Sequence, residues 1–149
     1  DCRVLLLGSM PGVASLQEQR YYAHPRNRFW PLMADICGFD AALPYVQRLQ
    51  ALNAAGIGLW DVIASAERAG SLDAAIRSPE AADLRGLVAA LPHLRAIAFN
   101  GGLAARMGRR VLAPVTDVAL IDLPSSSPAH VRPLADKAAA WAVLKSALS

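Results

Sequence analysis

Cysteine is nearly missing from this chain. Cys2 and Cys37 stand alone in no metal-type spacing, so neither a disulfide framework nor a four-cysteine iron–sulfur site can be built. Both read as small apolar residues. No uninterrupted apolar run approaches the roughly 20 residues that a membrane span needs, and nothing has the look of a cleavable signal. The expectation is a cytoplasmic protein with no membrane attachment and no metal. The glycine loop at residues 8–12 is not followed by Gly-Lys-Ser/Thr, and no Gly-x-Gly-x-x-Gly occurs. The lysine-containing phosphate loop is therefore excluded, and a nucleotide-binding Rossmann reading lacks its fingerprint. Repeats, linkers and low-complexity stretches are also missing, apart from an enrichment in alanine.

What is present is 149 residues, 54% hydrophobic, enough for one core and one domain over residues 1–149. A net charge of +3 and a pI near 9.2 permit an acidic partner without requiring one. Placement says more than the total. Arg20, His24, Arg26 and Arg28 share a short stretch with Tyr21, Tyr22, Phe29 and Trp30, and basic residues interleaved with aromatics suit phosphate contacts plus base stacking. A solvated charged loop would also account for the charges taken alone.

Val4, Leu5, Leu6 and Leu7 form an apolar run closed by Gly8, the pattern of a buried parallel strand. Only three residues precede it, so a natural N-terminal segment is expected upstream of this chain. Phe29, Leu32, Met33 and Ile36 keep helical spacing, with Gly38 placed to stop the helix. A second helix is expected over 43–54 and a second strand over 57–63, followed by a polar loop through Gly70. Pro79 precedes a helix expected over 80–91. A third strand over 96–99 runs into Asn100-Gly101-Gly102 and a helix ending near Arg110, where the glycines favour close packing and Asn100 is given no catalytic part. A fourth strand over 118–123, a loop over 124–130 and a last helix from Pro133 complete the chain, with Leu134, Ala138, Trp141, Ala142 and Leu148 on its inward face. The alternation predicts an α/β protein: three α/β/α layers around a four-stranded, mostly parallel sheet. Ligands of such sheets lie beyond the carboxyl ends of the strands, which gathers the loops at 8–12, around Trp60 and Asp61, and at 124–130.

Three segments carry chemistry. Gly8-Ser9-Met10-Pro11-Gly12, read alone, is a turn whose backbone N–H groups can face an acceptor. Paired with Tyr22-Ala23-His24-Pro25-Arg26-Asn27-Arg28-Phe29-Trp30 and with Leu123-Pro124-Ser125-Ser126-Ser127-Pro128-Ala129-His130, it resembles the uracil-DNA glycosylase superfamily. The nearest branches are the hypoxanthine-DNA and the mismatch-specific glycosylases. The resemblance touches nearly the whole chain in the right order.

It implies a DNA glycosylase of base excision repair, a monomer without cofactor, whose partner is DNA containing a deaminated base. It implies that Gly8, Ser9, Met10, Pro11 and Gly12 line the base pocket, that Tyr22 lies against the flipped base, and that Asn27 positions the attacking water. An amide cannot act as a general base, but its oxygen can accept a proton of a water while its NH2 anchors elsewhere. Asparagine is also a preferred helix cap, the structural alternative for Asn27. Met10 departs from the mismatch-specific branch, which has an asparagine there, and this favours the hypoxanthine branch. Asp61 stands where relatives have a base-reading asparagine. Its carboxylate could accept N1–H of hypoxanthine, and helix capping is its alternative role. Arg26, Arg28, Ser125, Ser126, Ser127 and His130 are the expected DNA contacts. Leu123 occupies the place of the catalytic histidine of uracil-specific enzymes, which argues against their mechanism. The competing readings are a uracil or mismatch enzyme of the same fold and a catalytically silent lesion-binding module.

Overall fold

The computed structural model describes residues 2–9, 21–22, 27–68, 76–81, 84–112, 117–127 and 133–148, with the backbone alone over 63–68 and 76–81. Strand β1 (Val4–Gly8) is buried along its whole length, as a strand flanked on both edges and covered on both faces must be. It pairs in parallel with β2 (Ile57–Asp61) on one side and with β5 (Ala96–Asn100) on the other, and β5 pairs in parallel with β6 (Ala119–Leu123). The sheet order is β2-β1-β5-β6.

Alternate residues of β1 serve two different cores, because successive side chains of a strand point to opposite faces. Val4 and Leu6 join Phe29, Leu32, Met33, Leu52, Trp141 and Leu144 on one face. That face is covered by α1 (Phe29–Cys37), α2 (Tyr45–Ala55), α5 (Leu134–Trp141) and α6 (Leu144–Leu148). Leu5 and Leu7 join Leu84, Phe99, Ala104 and Leu112 on the other, beneath α3 (Leu84–Ala89) and α4 (Gly102–Leu112). The three-layer α/β/α expectation holds. Helix α1 stops at Gly38, whose N–H donates to the Ala34 carbonyl at 2.9 Å, as the spacing predicts.

Four expectations need correction. The second strand ends at Asp61 rather than continuing to residue 63, because Val62 turns inward, fully buried, and donates its N–H to the Gly8 carbonyl at 2.8 Å. The expected polar loop and the start of the expected helix are instead an antiparallel pair, β3 (Ile63–Arg68) and β4 (Ile76–Ala81), with register shifts along it. Alanine and glutamate, which favour helix, mask the strands there. Pro79 falls inside β4, which a two-stranded sheet tolerates because each strand has one unpaired edge. The last helical stretch breaks at Ala142 into α5 and α6. Its inward face also differs: Leu134 is 39% exposed, whereas Lys137 is 2% exposed.

Candidate active site

Because the four strands of the main sheet run parallel, their carboxyl ends share one edge, and the segments leaving β1, β2, β5 and β6 meet there. Gly8 and Asp61 are register partners, as are Asn100 and Leu123. A β-carbon built on Gly8 would lie 3.0 Å from the Tyr22 hydroxyl and 3.1 Å from Asp61 Oδ1. Two polar groups from distant parts of the chain thus converge over one α-carbon, and a β-carbon there would crowd both. Ser9, next along, is 7% exposed.

Tyr22 has φ of 55°, a left-handed backbone that non-glycine residues adopt at a cost and that gathers at functional sites. Its ring stacks on Phe29, with centroids 3.9 Å apart and planes 19° from parallel, so only its other face can meet a base. Phe29 is itself held edge-on by Trp30 and Trp141. Desolvation first, then the Asp61 carboxylate, holds the Tyr22 phenol well above its ordinary pKa, against an opposing hydrogen bond from the Asn100 side chain. Tyr21 is shifted the same way, chiefly by burial and then by Asp61.

Asn27 is half-buried just ahead of α1, and its Oδ1 accepts the Phe29 N–H at 2.9 Å. The side chain is anchored through its oxygen, where the sequence reading had the NH2 as anchor. One lone pair of Oδ1 is engaged, while the other and the NH2 are the groups that can meet a water. The Arg28 N–H donates to the Ser126 carbonyl at 2.9 Å. The start of α1 and the serine loop after β6 are thereby joined, and the Arg28 side chain is exposed.

Ser126 departs from its expected part. It is fully buried, so its side chain does not reach a phosphate; its N–H donates to Asn100 Oδ1 and its Oγ accepts from Asn100 Nδ2, both at 2.9 Å. A buried polar pair must be satisfied internally, and this one ties the β5 end to the loop after β6. Ser125 and Ser127 are half-buried on either side, and Ser125 Oγ accepts the Ser127 N–H at 3.1 Å. Leu123 is buried in the core. Met10, Pro11, Gly12, Arg26 and His130 lie outside the described residues.

Asn100 was passed over in the sequence because its glycine neighbours explained the turn. A lone amide closing the apolar strand Ala96–Asn100 at the ligand edge was the signal. Lys137 and Trp141 were also missed as site residues. The Trp141 indole N–H donates to the Pro124 carbonyl at 2.8 Å, and Lys137 Nζ donates to the Ser127 carbonyl at 3.2 Å. Among the described residues no group of His, Cys, Asp and Glu is arranged to hold a metal ion, and no helix is long and apolar enough to cross a membrane.

Fold and loop cluster together define an α/β/α enzyme with its polar site at the carboxyl edge of a parallel sheet. The chain belongs to the uracil DNA glycosylase superfamily, whose family model matches residues 1–145, and it is a DNA N-glycosylase by that membership. Two relatives called hypoxanthine DNA glycosylase, from Methanosarcina barkeri and Methanosarcina acetivorans, are each 36% identical, and each alignment covers 95% of this chain and 89% of the relative. A solution NMR structure of a Methanosarcina acetivorans protein, described there as a candidate uracil DNA glycosylase, superposes with a TM-score of 0.86 at 34% identity, covering 99% of this chain and 91% of that one.

Proposed function

We propose that this enzyme removes hypoxanthine from DNA, taking the flipped base between Gly8, Ser9, Tyr22 and Asp61 and hydrolysing its glycosidic bond with a water held by Asn27. The observation that carries the reading is the Asp61 carboxylate beside the Tyr22 hydroxyl over Gly8. An ionised carboxylate only accepts hydrogen bonds, so it suits the N1–H of hypoxanthine and repels the N1 lone pair of adenine. The names of the two Methanosarcina relatives support the same base. Losing a base builds oxocarbenium character on the sugar and negative charge on the base, so holding a water in line matters more than abstracting its proton. Asn27, fixed by Phe29 N–H, suits that task. Turning the base out of the duplex costs least where pairing is already weakened, as at a deaminated base.

The test is release from duplexes that each carry one hypoxanthine, uracil, xanthine or mismatched thymine, read as strand cleavage after hot alkali. The native protein is expected to release hypoxanthine best, Asn27→Ala to lose about a hundredfold or more in rate, and Asp61→Asn to lose the preference. An unchanged preference in Asp61→Asn removes Asp61 from base reading. Uracil released best by the native protein overturns the choice of base.

A further inference from the structure

Lys137 is a lysine with 2% of its surface exposed, and Trp141, one helical turn on, is fully buried on the same face of α5. That face grips one loop at both ends. Trp141 Nε1 donates to the Pro124 carbonyl and Lys137 Nζ to the Ser127 carbonyl. Between them the Ser126 carbonyl takes the Arg28 N–H, and the Ser126 amide and hydroxyl are held by Asn100. The carbonyls of Pro124, Ser126 and Ser127 are therefore all turned onto protein donors. Carbonyl oxygens repel an anion, and hydroxyl protons attract one. Ser125 Oγ already accepts the Ser127 N–H, which engages a lone pair and favours its own proton as the group offered to an acceptor. Burying an ammonium is costly, and an apolar residue of similar length fills such a position at less cost. Its presence calls for something an apolar chain could not do.

We propose that Lys137 is a positioning residue for DNA binding. Its ammonium draws the Ser127 carbonyl into the protein, so that the loop shows hydroxyl protons to a DNA phosphate, and it places a fixed positive charge behind them. The inference rests on the reading of Ser125 and Ser127 as DNA contacts, and the test separates the two.

Dissociation constants for a lesion duplex and a lesion-free duplex are measured by fluorescence anisotropy, alongside single-turnover base release at saturating enzyme. The proteins are the native chain, Lys137→Met, Lys137→Arg and Ser125→Ala. Lys137→Met is expected to weaken both duplexes about tenfold, the loss typical of a charge-assisted hydrogen bond, with the saturating rate within about threefold of native. Lys137→Arg is expected to restore most of the affinity. A lowered melting temperature with native affinity, or a loss carried by the saturating rate, overturns the proposal. Weakened binding by Ser125→Ala with native binding by Lys137→Met removes Lys137 alone, whereas native binding by Ser125→Ala removes the loop itself from DNA contact. Lys137→Gln carries the same comparison where Lys137→Met does not fold, and native affinity in it is equally fatal.

Discussion

Tyr22 combines a left-handed backbone, a stacked ring and a phenol desolvated beside Asp61. Its pKa is raised in the folded protein, so folding favours the neutral phenol. That contribution is fully present below the unfolded value of about 10 and is lost as pH rises through the higher folded value. Urea denaturation is expected to show the native protein losing stability steeply above about pH 10, with a shallower loss in Tyr22→Phe. Tyr21, Cys2 and Cys37 are raised as well and share the sign, so Tyr22→Phe removes only part of the slope. Equal slopes would show that the phenol is not desolvated. At this scale the sequence was informative about placement where a motif marked the residue, as at Gly8 beneath Tyr22 and Asp61 and at Asn27 ahead of α1; their parts in binding and catalysis stand as proposed. It was uninformative where a role depends on an unrelated loop, because nothing near Asn100 in the chain announces Ser126 as its partner.

Helix α4 lies so close to β5 that a β-carbon on Gly108 would be driven into the Phe99 ring. On helix propensity alone, alanine there would gain about 1 kcal/mol. Overpacking costs typically about 1–3 kcal/mol, so Gly108→Ala is expected to lower the melting temperature, and a rise would show that α4 can shift outward. The elements that could be read from sequence were those with a strong, uniform pattern: the apolar strands β1 and β5, and the helix closed by Gly38. The pair β3 and β4 could not, since strand pairing is made by the partner and its residues favour helix by composition. The inward face of α5 was misjudged for a related reason. Periodicity counts apolar residues, and it has no means of seeing that a buried Lys137 is matched to a carbonyl from another element.

For the whole molecule, a positive net charge and an exposed Arg28 beside the serine loop lead us to expect a DNA affinity that depends on salt. Each phosphate neutralised contributes about 0.9 to the slope of log affinity against log salt. Arg28→Ala is expected to reduce the slope by about that amount and to weaken lesion-bearing and lesion-free duplexes alike; a slope equal to the native one would remove Arg28 from phosphate contact. The arrangement of the sheet also bears on how the molecule comes into being. Its most enclosed strand, β1, is made before both of its partners, whose pairing begins at Ile57 and at Ala96. Contacts so far apart along the chain form slowly, and during synthesis an apolar Val4–Gly8 must wait for β5 before both of its edges are closed. The nascent chain therefore carries an open, sticky edge from the emergence of β1 until β5 has followed it, a stretch over which shielding by other proteins matters more than the stability of the finished fold.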